Sequence, residues 1–110
     1  GLFSGTSRGQ VADVIDPAVI RGAIRAQRKL RIAYQDENGQ ATQRVVWPIA
    51  LVYFEAVRLV VAWCELRNNF RAFRIDRITA IGQTGRTFKA ERGKQLVDYY
   101  RTVEARDHLN

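Results

Sequence analysis

Residues 59–81 decide the fold, and they read LVVAWCELRNNFRAFRIDRITAI. The first part, 59–64, is apolar at both odd and even positions, which is typical of a strand buried on both faces. The polar triplet Arg67-Asn68-Asn69 interrupts this run, and an alternating aromatic and arginine segment follows it. The stretch therefore predicts two consecutive strands, Val57 to Glu65 and Phe70 to Ile75, with a tight turn between them.

Positive charge is concentrated in the second half of this stretch. Four arginines lie within eleven residues, namely Arg67, Arg71, Arg74 and Arg77, against a single acid, Asp76. A guanidinium cannot lose its proton to escape the cost of burial, so core strands seldom carry this much charge. Binding of an anionic ligand is the favoured role for Arg71 and Arg77, and structural pairing with Asp76 or Glu65 is the alternative. For Asp76 itself, an ion pair that holds the arginines is a simpler role than that of a catalytic acid.

The whole chain is basic as well. Its 110 residues include 18 basic and 11 acidic side chains, for a net charge of +7. Fifteen of the basic residues are Arg, whose planar fork suits phosphate groups and stacks on bases. An anionic partner is the first expectation, although a GC-rich genome would account for the arginine content equally well.

Upstream of the central stretch, the sequence predicts a helix and then a hairpin. Asp16-Pro17 is a strong helix start, because Asp caps the first-turn amides and Pro needs no donor at the first position. Apolar residues then recur at helical spacing, at 19, 20, 23 and 24. From Leu30 the period changes to two, and Asn38-Gly39 is a hairpin turn signal.

The remaining strands follow from the same alternation and from turn residues. They are a first strand over 30–35, a return strand over 40–47 that stops at Pro48, and a short strand over 49–54. Residues 78–81 extend the last strand or stand alone, 82–86 form a loop, and Lys94 to Glu104 form a closing helix. One helix followed by five or six short strands predicts a mainly β fold, a small closed antiparallel barrel.

The sequence predicts one domain over 15–110, preceded by a flexible leader or linker over 1–14 that is rich in Gly, Ser and Thr. Cys64 is the single cysteine. It lies in the apolar run and is predicted to be a small buried side chain in a reducing compartment. With no signal peptide and no long apolar span, the chain is expected to be cytoplasmic, without a membrane partner.

Several pieces of the sequence resemble the WYL domain of bacterial transcription regulators. They are AWCELR at 62–67 and FRAFRIDRI at 70–78, together with LRIAY at 30–34 and VVWP at 45–48. The resemblance covers roughly Ala18 to Gln83. The Trp-Tyr-Leu triplet that gives the family its name falls on Arg58-Leu59-Val60, so only its third position stays similar.

The resemblance implies an Sm-like, SH3-type barrel behind a helix, and a sensor role. Such domains follow a helix-turn-helix domain, which this sequence does not contain and through which alone duplex DNA would be contacted. A basic, partly aromatic pocket would take an anionic effector, either a nucleotide or single-stranded nucleic acid. The family's positions correspond to Arg71, Arg77, Arg44 and Tyr34, with Arg74 and Arg67 as further candidates. On a regular strand Arg71 and Arg77 would share one face, unless a bulge near Asp76 alters it.

Catalysis is not expected. The one histidine, His108, lies in a polar tail, and no cluster has metal-ligand spacing, so no metal or cofactor is predicted. Ser4 and Ser7 have no neighbouring residue that could activate them as nucleophiles, and the sequence has no glycine-rich phosphate loop. Two alternatives to the sensor remain open: a stand-alone Sm-like module that binds RNA or single-stranded DNA, and a structural domain that forms a homodimer.

Overall fold

The computed structural model of the chain describes residues 15–89, 97–101 and 103. The predicted leader over 1–14 and His108 lie outside them. Helix α1, Pro17–Ala26, begins where the sequence predicts, with the Asp16 carboxylate accepting a hydrogen bond of 2.9 Å from the Ala18 amide. It ends at Gln27, whose φ of 54° places it in the left-handed region. Residues 97–101 and 103 are helical, within the range predicted for the closing helix.

Five strands follow the helix. They are β1 (Arg28–Gln35), β2 (Ala41–Phe54), β3 (Val57–Cys64), β4 (Asn69–Arg74) and β5 (Ile78–Thr87), with a short 3₁₀ turn, Ile75–Arg77, before the last. The turn between β1 and β2 is the predicted one. Asp36 accepts the Gly39 amide at 2.9 Å with its carbonyl, and Gly39 supplies a φ of 81°.

Two predicted boundaries are wrong, and each has a physical reason. The strand over 40–47 does not stop at Pro48, because a register shift between Pro48 and Ala50 forms an irregularity that accommodates a residue without an amide donor. Residues 82–86 are not a loop but part of β5. Their pairing with β1, including Leu30 with Gln83, depends on a neighbour about fifty positions away that local turn residues do not reveal.

The strands form one antiparallel sheet in the order β4-β3-β2-β1-β5. A flat sheet would hold its two edge strands about 19 Å apart, at roughly 4.8 Å per strand. Yet β4 ends at Arg74 and β5 starts at Ile78, a span of at most about 14 Å of chain. The sheet must therefore curl. A mainly β, antiparallel fold behind an N-terminal helix is confirmed, but no pairing of β4 with β5 is found among the described strands, so a closed barrel stays a prediction.

The core fills the inner face of the curled sheet, and α1 packs over β1 and β2. Ile20 and Ala23 of the helix belong to one core cluster with inward residues from all five strands. The cluster is Ile20, Ala23, Leu30, Ile32, Tyr34, Val46, Val60, Ala62, Cys64, Phe73, Ile75 and Ile78. Cys64 is a free thiol with no exposed surface, which confirms its predicted burial. None of the described helices is long and apolar enough to cross a membrane.

Candidate anion-binding site

A buried arginine stands at one end of the inner face. Arg44 lies on β2 opposite Ile32 of β1 and is only 7% exposed. Its guanidinium carbon lies 5.7 Å from the ring centroid of Tyr34 and 5.5 Å from that of Phe73. Both rings are in the range of a cation–π contact, which offsets part of the lost hydration of the cation.

The polar contacts of Arg44 are few. Its Nε donates to Thr42 Oγ1 at 3.0 Å, and its NH1 lies 3.9 Å from Cys64 Sγ. Within the part of the chain that the structure describes, no carboxylate forms an ion pair with it. A buried cation without a counter-charge is costly. This end of the inner face therefore carries a positive charge that favours an anion.

Two polar residues of β4 border the same region. Asn69 pairs with Cys64 and Arg71 pairs with Ala62, and both alternate with Phe73 on the inner face. Arg71 is half-buried, and the Oδ1 atom of Asn69 is buried with no hydrogen-bond partner among the residues that the structure describes. We call Arg44, Cys64, Asn69 and Arg71 the inner basic cluster. It combines two guanidinium groups with an amide oxygen that lacks a donor.

Tyr34 supports this cluster from the core. It is 8% exposed, and its ring meets that of Phe73 edge to face, with centroids 5.1 Å apart. Its hydroxyl oxygen accepts the Arg74 amide at 3.2 Å, which ties β1 to the end of β4. Its ring contacts both Phe73 and Arg44, so Tyr34 is placed to hold the arginine.

The other arginines of the central stretch are placed elsewhere. Arg74 forms a two-pronged ion pair with Asp76, at 3.0 and 2.7 Å, which agrees with the pairing role weighed from sequence. These hydrogen bonds from Arg74 hold the pKa of Asp76 below its ordinary value, and the charge of Arg77 adds to the effect. Arg67 lies in the exposed turn between β3 and β4.

Arg71 and Arg77 do not lie on one regular strand. The 3₁₀ turn Ile75–Arg77 ends β4 after Arg74, so the period of two that would align the two arginines is interrupted. Of the six predicted site residues, the structure brings Arg44 and Tyr34 into contact and places Arg71 on the same inner face. Sequence reasoning missed Asn69 and Cys64 as their neighbours. The alternation of Asn69 with Phe73 along β4 was a signal that both face the core. The register of β4 against β3, which places Asn69 opposite Cys64, could not be read from the sequence.

Comparison with known proteins agrees with this architecture. Residues 17–83 match the family model described as "WYL domain". This chain belongs to the WYL-domain family. The WYL match covers most of the described residues, including the inner basic cluster. No curated protein matches the sequence.

Among solved structures, this WYL domain is similar to proteasome accessory factor B/C (PafBC) of Arthrobacter aurescens. The two share 30% sequence identity with a TM-score of 0.63. The match covers 69% of this chain and 12% of that one, so the similarity concerns one domain of a much longer protein.

Proposed function

We propose that this WYL domain is the effector-sensing domain of a transcriptional regulator, and that its effector is an anion bound at the inner basic cluster. The observation that carries the proposal is Arg44, a buried guanidinium packed against two aromatic rings and without an acidic partner among the described residues. An anion next to Arg44 would supply the counter-charge that this arginine lacks, and Arg71 lies on the same face to contact it as well.

The cluster also bears on the kind of anion. The Oδ1 atom of Asn69 can accept a hydrogen bond, so an anion that fits the cluster also carries a hydrogen-bond donor. A nucleotide, or a base at the end of a single strand, offers both a phosphate and N–H donors on its base edge. We therefore favour a nucleotide or single-stranded nucleic acid, whose donors lie apart from its phosphate.

Regulation would operate by linkage. The cluster spans β2, β3 and β4, and the bond from the Arg74 amide to Tyr34 ties the end of β4 to β1. An effector that binds one arrangement of these strands better than another shifts the balance between them, by as much as its differential affinity allows. An attached helix-turn-helix domain would then change its affinity for duplex DNA in the cytoplasm. The SH3-type barrel, closed along β4 and β5, is part of this proposal.

Titration calorimetry tests the binding half. A panel of inorganic phosphate, ribonucleoside triphosphates and short single-stranded oligonucleotides is titrated into the wild-type domain, into Arg71→Ala, and into the control Arg21→Ala, which removes an exposed helix arginine. We expect a nucleotide or oligonucleotide to bind, Arg71→Ala to weaken it tenfold or more, and Arg21→Ala to leave it unchanged. Equal losses in both variants would mean a diffuse charge effect and would refute the site.

A further inference from the structure

A groove lies between α1 and the second half of β2. Its walls are Arg21, Ile24 and Arg25 of the helix and Ala50 and Leu51 of the strand, and its volume is about 300 Å³. We call these five residues the α1–β2 groove. This volume is at the lower end of the range for ligand pockets and admits side chains of a partner. The groove is separate from the inner basic cluster, because Arg44 lies roughly 20 Å further back along β2.

The strand that lines this groove has an open edge. Over Ala41 to Val46, β2 pairs with β1 on one side. From Trp47 to Phe54 it pairs with β3, and none of the other described strands lies along its second edge. Residues 49–54 read IALVYF, with no charged side chain and no proline, which are the residues that ordinarily protect an edge. Their unpaired peptide groups can therefore bind an added strand.

Two aromatic side chains continue the apolar surface beyond the groove. Tyr53 is 72% exposed and Phe54 is 63% exposed, the two highest values among the large hydrophobic residues that the structure describes. Alternation along β2 places Tyr53 on the same face as Leu51, so its ring extends the lining of the groove. An exposed apolar surface of this kind marks a contact with a partner.

The charges around the surface indicate which partner it fits. Arg21 and Arg25 are exposed on one side of α1, a single turn apart, and both line the groove. Arg58 lies opposite Tyr53 on β3, and Glu55 is the single acid within residues 49–60. Three guanidinium groups thus stand against one carboxylate, which favours an acidic partner. A second copy of the chain would bring the same arginines and a net charge of +7 to the contact, which is repulsive.

We propose that the open edge of β2 and the α1–β2 groove bind an acidic, extended segment of a partner protein. The segment adds to β2 as a strand along residues 49–54, and one of its apolar side chains enters the groove against Ile24 and Leu51. Its carboxylates pair with Arg21 and Arg25. An added strand bonds through its peptide groups, which nucleic acids lack, so this surface and the effector site take ligands of different classes.

Short random peptides displayed on phage are the probe. They are selected on the wild-type domain and counter-selected on Ala50→Ile, which fills the groove with a larger side chain. We expect the surviving sequences to alternate apolar residues with Asp and Glu. One of them is synthesised with a fluorescent label, and its affinity is measured by anisotropy. Tyr53→Ser changes an exposed side chain outside the core and should weaken this peptide roughly tenfold, whereas Arg71→Ala should leave its affinity unchanged.

The contributions of charge and backbone are tested separately. Arg21→Glu should weaken the peptide roughly tenfold or more, and a peptide with Lys in place of its acids should bind Arg21→Glu better than the wild type. The matched control is Arg31→Glu, the same charge change at an exposed position of β1, which should have little effect. N-methylation of alternate peptide amides should abolish binding for one of the two alternating sets and spare the other, because an added strand bonds along one edge.

Several results would overturn the proposal. Selected peptides without an excess of acids, or wild-type affinity of a folded Tyr53→Ser, would show that this surface does not recognise such a segment. Equal losses in Arg21→Glu and Arg31→Glu would mean a diffuse charge effect, and equal tolerance of both N-methylated sets would exclude an added strand. Sedimentation that shows a wild-type dimer, disrupted by Tyr53→Ser, would assign the surface to a second copy. If Ala50→Ile does not fold by circular dichroism, Tyr53→Ser takes its place in the counter-selection.

Discussion

Replacing Arg44 by Met should separate binding from stability. Met has a similar length and no charge, so Arg44→Met fills most of the same space beside Tyr34 and Phe73 while removing the buried cation. If Arg44 is retained for an anionic ligand, the variant should lose that ligand without losing the fold.

The contacts of Arg44 give the magnitude. Losing the hydrogen bond to Thr42 costs about 1 kcal/mol, and losing two cation–π contacts costs about 1–2 kcal/mol together. Removing the unpaired cation also removes the cost of burying it, which is several kcal/mol. The free energy of unfolding of Arg44→Met should therefore be unchanged or higher by about 1–3 kcal/mol.

Urea unfolding, monitored by tryptophan fluorescence, measures this change as a shift in the urea concentration at the midpoint, provided that the slope of the transition stays constant. Calorimetry on the same samples measures binding of the nucleotide or oligonucleotide found for the wild type. Arg21→Met, on the exposed side of α1, is the control for loss of charge. The reasoning fails if Arg44→Met unfolds more than about 2 kcal/mol more easily yet binds as tightly as the wild type, because Arg44 would then be a satisfied structural residue.

Three further predictions concern the frame of the site. Tyr34→Phe removes the acceptor of the Arg74 amide and should lower stability by about 1 kcal/mol in urea melts, with an unchanged value arguing that water replaces the hydroxyl. Asp16→Ala removes the cap of α1 and should cost about 1 kcal/mol, whereas Asp16→Asn should cost much less. The pKa of Asp76 is lowered in the folded state, chiefly by its hydrogen bonds from Arg74, so its stabilisation is present above about pH 4 and is lost as pH falls through the lower folded value. Thermal melts from pH 7 to pH 2 should therefore show a smaller loss of stability for Asp76→Asn, and parallel curves would contradict the ion-pair assignment.

Much of the local structure was predictable because its causes are local. The cap at Asp16, the turn at Asn38-Gly39 and the apolar strand around Cys64 each depend on residues within a few positions of one another. So does the run of motifs that resembles the WYL family. Fold class and family therefore followed from the chain read in order.

Register and curvature had to come from the tertiary structure. Pro48 continues a strand only because β2 carries one extra residue between Pro48 and Ala50 in its pairing with β3. Residues 82–86 form a strand only because β1 lies alongside. The same holds for the site: a 3₁₀ turn separates Arg71 from Arg77, and curling of the sheet brings Phe73 of β4 within reach of Arg44.

Sequence alone thus determined that this is a basic, mainly β domain with arginines on aromatic strands. Which arginines meet, and which stay apart, was decided by strand register. Alternation assigns a side chain to one of two faces, but it does not say which distant strand lies opposite it. Burial of Arg44 against two rings, and the alignment of Trp47, Trp63 and Phe70 across three strands, follow from that pairing.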